Sequence, residues 1–347
     1  MAKIVNICDV CSEIFAGGDA PKGNMSETKT EEYNIPIFAN GEANEGLYGY
    51  TNKARVTKPS ITVSARGTIG YTAIRPTPFV PIVRLITLTP IPELIDIKYL
   101  YYAAQNYKFD GSGTSIPQLT VPSLKKYSFP LPAMEEQAHI VMILDNVCDL
   151  IDQKKQQLEL LDELVKSQFI ELFGDPIRNT QNRPTTDFIN VVKMQRGFDL
   201  PVQDRQQDGD IPVFGSNGAL DRHNVAKVQG GGVITGRSGT IGKVYYTEGD
   251  YWPLNTSLFS VDTHGNNIIY LAYLLQMYDL SRFTEGTGVP TLNRNKFHDK
   301  PIIDVPLNEQ EQFAVFVKQT DKSKLAVQQS IAELEELKKS LMQKYFG

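Results

Sequence analysis

The sequence predicts an α+β chain built twice over: two globular domains, at residues 1–133 and 175–306, each followed by a long helix, at 134–174 and 307–347, with the helices packed on each other. Three observations carry this. The stretch from Glu136-Gln137 to Phe173-Gly174 matches the stretch from Glu309-Gln310 to Phe346-Gly347 at a constant offset of 173 residues, with no gap. Both copies place apolar residues on a heptad track, the pattern of helices that pair along a narrow seam. The remaining sequence consists of short β-branched and aromatic runs bounded by glycine, which read as strands.

Taken in chain order, Ile61-Thr62-Val63-Ser64 and the run from Val83 to Leu88 read as strands of the first domain, and Ile97–Asn106 as its helix. Leu131-Pro132 stops that domain. The first long helix then carries its seam on Ile140, Leu144, Val147, Ile151, Leu158, Leu161 and Val165, interrupted by Lys154 and Gln168. Asp175 to Thr186, polar and containing two prolines, reads as a linker. In the second domain, Gly231–Thr235 and Lys243–Tyr246 read as strands and Ile268–Tyr278 as a helix. After Val305-Pro306 the second long helix places Phe313, Val317, Val327, Ile331, Leu334 and Leu341 on the same track, interrupted by Thr320, Lys324 and Lys338. Each helix ends in Phe-Gly, a glycine C-cap. About 38 residues at about 1.5 Å each make a rod of roughly 57 Å.

The domains repeat more loosely than the helices. Asn34-Ile35-Pro36-Ile37-Phe38 resembles Asp210-Ile211-Pro212-Val213-Phe214, and Gly67-Thr68-Ile69-Gly70 recurs as Gly239-Thr240-Ile241-Gly242. Ser115-Ile116-Pro117-Gln118-Leu119 resembles Gly288-Val289-Pro290-Thr291-Leu292. Between these islands the two halves diverge.

A net charge of −5 argues at first against a nucleic-acid binder, but its distribution removes the objection. The first domain carries +2, the first long helix region (134–173) −6, the second domain −1 and the second helix 0. Three cysteines, Cys8, Cys11 and Cys148, are too few and too scattered for a disulfide framework, which fits a reducing, cytoplasmic setting. The lone Cys8-x-x-Cys11 pair lacks a second pair to complete a zinc site. No leader or membrane span is expected from the apolar runs.

The sequence offers no catalytic motif. Gly230–Gly242 fails the phosphate-loop pattern, because no glycine stands five residues before Gly242 and Val244 follows Lys243; it reads as tight turns between strands. The four histidines, His139, His223, His264 and His298, have no ligand-like spacing. No metal or cofactor is expected in the chain itself. The glycine-rich loops instead combine Arg, Lys, Asn and Tyr, the side chains that read base edges and hold phosphates.

In layout the chain resembles the specificity subunit of type I restriction–modification systems. The resemblance rests on Leu131-Pro132, Glu135-Glu136-Gln137, Ile143-Leu144-Asp145, the run Leu160-Leu161-Asp162-Glu163-Leu164-Val165-Lys166-Ser167, and Leu172-Phe173-Gly174-Asp175-Pro176. In the second copy Asn308-Glu309-Gln310 survives, while Lys318-Gln319 replaces the Leu-Asp pair. The resemblance implies two target recognition domains, each reading one half of a split, asymmetric site in double-stranded DNA. It implies that the helices pair as an antiparallel coiled coil with pseudo-twofold symmetry and hold the domains apart as a ruler. Two methyltransferase subunits would dock on the helices, and an endonuclease and translocase subunit would join them. S-adenosylmethionine and ATP would be used by those partners, and this chain would be no enzyme.

Arg66 and Arg237 flank the shared Gly-Thr-Ile-Gly turn in both halves and are expected either to touch DNA, at phosphate rather than at bases because they recur, or to brace the turn with a structural hydrogen bond. Tyr50, Asn52, Lys53, Arg222, His223, Asn293, Arg294 and Lys296 lie where the halves differ and are expected to read bases. Two rival readings use the same residues: a coiled-coil scaffold with protein-binding globular ends, and a nucleotide-binding enzyme built on Gly230–Gly242. Salt-sensitive binding to a split duplex separates the first from DNA recognition, and retention of a nucleotide by the purified chain marks the second.

Overall fold

The computed structural model describes residues 2–107, 118–286 and 290–347. The first half runs β1 (Lys3–Asn6), β2 (Cys11–Ala16), β3 (Ile35–Phe38), β4 (Leu47–Thr51), β5 (Ser60–Val63), β6 (Thr72–Arg75), β7 (Val80–Pro81), β8 (Ile86–Pro90), α1 (Ile97–Gln105), α2 (Val121–Leu124), β9 (Ser128–Leu131) and α3 (Met134–Phe173). The second runs β10 (Thr185–Asp187), α4 (Phe188–Val191), β11 (Lys193–Arg196), β12 (Ile211–Gly215), β13 (Gly218–His223), β14 (Gly232–Gly236), β15 (Val244–Thr247), β16 (Trp252–Pro253), β17 (Ser257–Asp262), α5 (Ile268–Tyr278), β18 (Thr284–Glu285), β19 (Thr291–Leu292), β20 (Pro301–Ile303) and α6 (Leu307–Phe346). The chain divides into two compact units, Met1–Lys154 with Ser330–Gly347, and Lys155–Gln329. Each unit therefore holds one domain and half of each long helix.

The repeat is tighter in topology than in sequence. Unit 1 has sheets in the orders β2-β8-β5-β6, β4-β3-β7 and β1-β9; unit 2 has β11-β17-β14-β15, β13-β12-β16 and β10-β20 in the same positions, plus a β18-β19 pair. Central strands β5, β8 and β14 are buried along their whole length, which is why their sequences are continuous apolar and hydroxyl runs without alternation. α1 and α5 each start at a side-chain cap. Asp96 Oδ1 accepts from the N–H groups of Lys98 and Tyr99, and Asn267 Oδ1 from those of Ile269 and Tyr270.

Two glutamines fasten each domain to its long helix in the same way. Gln137 and Gln310 are both 1 % exposed. Gln137 Oε1 accepts from Asp96 N–H (2.9 Å), and Gln310 Oε1 from Asn267 N–H (2.8 Å). Their Nε2 atoms donate to the carbonyls of Pro132 (3.0 Å) and Val305 (2.7 Å). The repeated Glu-Gln pair thus has a physical reason: the glutamine satisfies buried backbone groups where helix, cap and proline-bearing strand meet.

Within each unit the two helix segments run antiparallel. In unit 2, Phe169 of α3 meets Phe313 of α6 at 5.5 Å between ring centroids, and Asp162, seven residues earlier in α3, pairs with Lys324, eleven residues later in α6 (2.5 Å). In unit 1, Met342 and Phe346 of α6 share a core with Ile140, Val141 and Leu144 of α3, and Phe346 packs on Tyr99 of α1 (4.9 Å). Of the seam residues, Ile140, Leu144, Val147, Ile151, Val165, Phe313, Val317 and Val327 are buried, and Leu158, Leu161, Ile331, Leu334 and Leu341 half-buried. α3 ends as its sequence suggests: Gly174 takes φ +77° and its N–H bonds the Ile170 carbonyl (2.9 Å).

Two expectations need correction. The run from Val83 to Leu88 is not one strand: Val83 and Arg84 take φ +52° and +64°, so β8 begins only at Ile86. The supposed linker is tied down, with Arg183 paired to Glu309 (2.7 Å) and donating to the Leu172 carbonyl (2.6 Å). Cys8 is exposed and Cys11 buried; burial and the neighbouring Cys8 push the Cys11 thiol up to about 12, so it is neutral. Ser115-Ile116-Pro117 and Gly288-Val289 lie outside the described residues.

Candidate nucleic-acid interface

In the first domain, hydrogen bonds gather four loops at one end of the sheets. Asn40, in the β3–β4 connection, accepts from Ala65 N–H (2.7 Å) and donates to the Val83 carbonyl (2.6 Å). Gly41 N–H donates to Ser64 Oγ (3.2 Å) and Leu119 N–H to the Ala65 carbonyl (3.0 Å). Gly67 and Gly70 of the repeated turn take φ +70° and +87°, with open space where a Cβ would sit; backbone conformation demands glycine there. The stretch from Gly230 to Gly242 contains β14 and the β14–β15 turn, in line with its reading as strands and turns.

The second domain repeats this framework with other side chains. Leu292 N–H donates to the Arg237 carbonyl (2.8 Å), and Ser238 bridges Thr291. This register corrects the pairing of the two arginines. Arg237 stands where the first domain has Ala65, and Arg66 corresponds to Ser238. Arg66 instead donates to Gln118 Oε1 (2.9 Å), the counterpart of Thr291. The expectation of a shared phosphate contact, which rested on their recurrence, therefore loses its premise.

Arg237 does gather with other predicted residues. It lines a hollow of about 270 Å³ with Arg196, Asn293, Arg294 and Glu285. Asn293 caps the turn that carries Arg294, its Oδ1 accepting from Asn295 N–H (3.1 Å). Lys296 is held on Glu285 (2.7 Å), with both side chains half exposed, and its pKa is raised by that bond. Three guanidiniums around one hollow make an anion-attracting surface with the fork geometry suited to phosphate or a base edge. Arg196 escaped the sequence reading, because it reaches the hollow of Arg237 through the pairing of both β11 and β14 with β17; no local motif marks it.

The remaining candidates lie elsewhere. Tyr50 lines a separate hollow of about 640 Å³ on the β3–β4 hairpin. Asn52 accepts from Asn24 (2.8 Å), and Lys53 and Arg222 are exposed. His223 needs correction as a base reader. Alternation on β13 turns it inward, 8 % exposed and edge-on to Trp252 (5.3 Å). Among the described residues, no cluster of three or more His, Cys, Asp or Glu is placed to hold a metal ion, and no helix is long and apolar enough to cross a membrane.

The repeated framework has a counterpart among known families. The model for the type I restriction modification DNA specificity domain matches residues 2–161 and again 178–336. The chain belongs to that family. Among its relatives, a putative type I specificity subunit of Mycoplasma pneumoniae is 34% identical over 166 residues, 48% of this chain and 49% of that protein. The type I restriction enzyme MjaIX specificity subunit of Methanocaldococcus jannaschii is 29% identical over 179 residues, 48% of this chain and 40% of that protein. The chain thus spans about half the length, or less, of these two curated relatives. Two solved structures share the fold of this chain over nearly its whole length. The S subunit of a type I system from M. genitalium has a TM-score of 0.60 at 17% identity, covering 100% of this chain and 96% of its own. A chain from a study of assembly and conformational transition of the type I R-M system has a TM-score of 0.64 at 15% identity, covering 99% and 97%.

Proposed function

We propose that this chain is the non-catalytic DNA-reading subunit of a type I restriction–modification complex in the cytoplasm, with each domain reading one half of an asymmetric bipartite site. The reading domains are residues 1–133 and 175–306; the helices at 134–174 and 307–347 set the spacing and dock two methyltransferase subunits, which an endonuclease and translocase subunit joins. The partners use S-adenosylmethionine and ATP.

One observation carries this reading: the two domains keep the same strand order while changing the side chains on the loops at the matching end. Arg237 and Ser238 take the positions of Ala65 and Arg66 in the repeat, and the short turn at Ser216-Asn217 takes the place of the long β3–β4 loop. One scaffold with two sets of readers suits a site whose halves differ. The near-neutral domains leave much of the phosphate grip to partner subunits.

The test is methylome sequencing of a host expressing the chain with its cognate methyltransferase subunit. A split motif with two unlike halves and a fixed gap is expected; a continuous motif, or no methylation dependent on this chain, overturns the reading.

A further inference from the structure

Arg75, the last residue of β6, is buried at 3 % exposure in a place where a buried charge needs a purpose. Its guanidinium makes contacts in three directions. Nε donates to Thr62 Oγ1 on β5 (3.1 Å), and Nη2 donates to the backbone carbonyl of Glu45 (2.6 Å). Nη1 meets Glu45 Oε2 (3.3 Å), and the plane lies 3.6 Å from the ring centroid of Phe38. The Glu45 side chain is 72% exposed, so the ion pair itself counts for little. The well-placed interactions are the carbonyl bond and the stacking on Phe38.

They act on a strained loop. Asn44, Glu45 and Gly46 take φ +48°, +52° and +75° in succession. Two non-glycine residues in the left-handed region persist only where the surroundings over-determine them, and such strain gathers at functional sites. Asn44 and Glu45 form part of the wall of the hollow of about 640 Å³, with Tyr50, Lys29 and Asn34 also lining it. Arginine suits the task, because its rigid fork bonds a carbonyl and a hydroxyl while its face stacks on a ring.

Among the described residues, the device belongs to the first domain alone. The strand register places Thr247 of β15 where β6 has Arg75, and the β12–β13 hairpin closes through Ser216-Asn217 with no counterpart of the left-handed loop. A residue needed only to stabilise the common scaffold would be expected in both copies.

We propose that Arg75 is a positioning residue for DNA recognition by the first domain. It holds Asn44 and Glu45, with Tyr50 across the hollow, in the shape that discriminates bases in one half of the site. This rests on the DNA-reading function proposed above.

The test coexpresses the chain with its cognate methyltransferase subunit and sequences methylated positions genome-wide, comparing the cognate motif with sites altered by one base in either half. Arg75→Lys keeps the charge and loses the fork. It is expected to raise methylation at sites altered in one half by roughly tenfold relative to the cognate motif, about the weight of a mismatched pair. Discrimination in the other half stays unchanged. Glu45→Pro leaves the core intact but cannot take the left-handed φ and loses the bond from Glu45 N–H to the Glu42 carbonyl, so it disrupts the exposed loop and relaxes the same half even if the Arg75 variant fails to fold. Equal relaxation of both halves, or none in either variant, overturns the proposal and leaves Arg75 a structural residue. If the unsubstituted chain gives no split motif, the DNA-reading function fails on its own, before the variants are compared.

Discussion

His298 accepts a hydrogen bond from Met194 N–H at Nε2 (3.1 Å), a role only the neutral ring can fill. Burial, then Arg294 and Lys193, lower its pKa, with Asp299 opposing. At neutral pH the ring is uncharged both folded and unfolded, so the bond contributes in full. As pH falls below the ordinary histidine value, the unfolded chain takes up a proton before the folded one, and stability is lost. The thermal midpoint of the second domain is therefore expected to drop between pH 7.5 and pH 5.5, and His298→Gln, which keeps an acceptor without titrating, flattens that slope. Gln310 is a second residue whose value lies in its bonds. Gln310→Leu strands Asn267 N–H and the Val305 carbonyl in the core. A loss of about 2–3 kcal/mol in urea unfolding is expected, the weight of unpaired buried groups. A glutamine is legible as part of a repeated Glu-Gln pair, but its job is not, since the Asn267 N–H it satisfies lies 43 residues away in the chain.

The long helices were the most legible elements, because a heptad is a local pattern that survives without knowledge of the fold. The polar interruptions needed the structure. Lys324 sits in the seam at 17% side-chain exposure and is held by Asp162 of the facing helix and Asp321 of its own. Asp162 and Asp321 are 61% and 43% exposed and stay hydrated without the ammonium, so losing this pair costs little and an apolar side chain in the seam offsets it. Lys324→Met is therefore expected to leave unfolding unchanged or raise stability by about 1 kcal/mol. A clear loss of stability for this variant in a calorimetric scan marks the pair as a net contributor. Strand boundaries were less legible. The Val83–Leu88 run is apolar throughout, and nothing local reveals that hydrogen bonds from Val83 and Arg84 to Gly18 and Gly17 bend it out of the strand.

For the molecule as a whole, the proposed ruler makes a geometric prediction. Inserting one heptad at equivalent points of both α3 and α6 adds about 10 Å of helix. The unread gap of the methylated motif is expected to grow by about three base pairs, at roughly 3.4 Å per pair. An unchanged gap shows that something other than helix length sets the spacing. The sequence by itself determined the tandem plan, the helix positions and the seam, because these follow from repeats and periodicities carried by neighbouring residues. Only the tertiary structure decided which side chains share a surface. It gave Arg66 and Arg237 non-equivalent positions in the repeat, turned His223 into the core, brought Arg196 to the hollow of Arg237, and gave Arg75 a loop to hold. Each of those outcomes depends on cross-strand register and burial, which join residues far apart in the chain and leave no local trace in it.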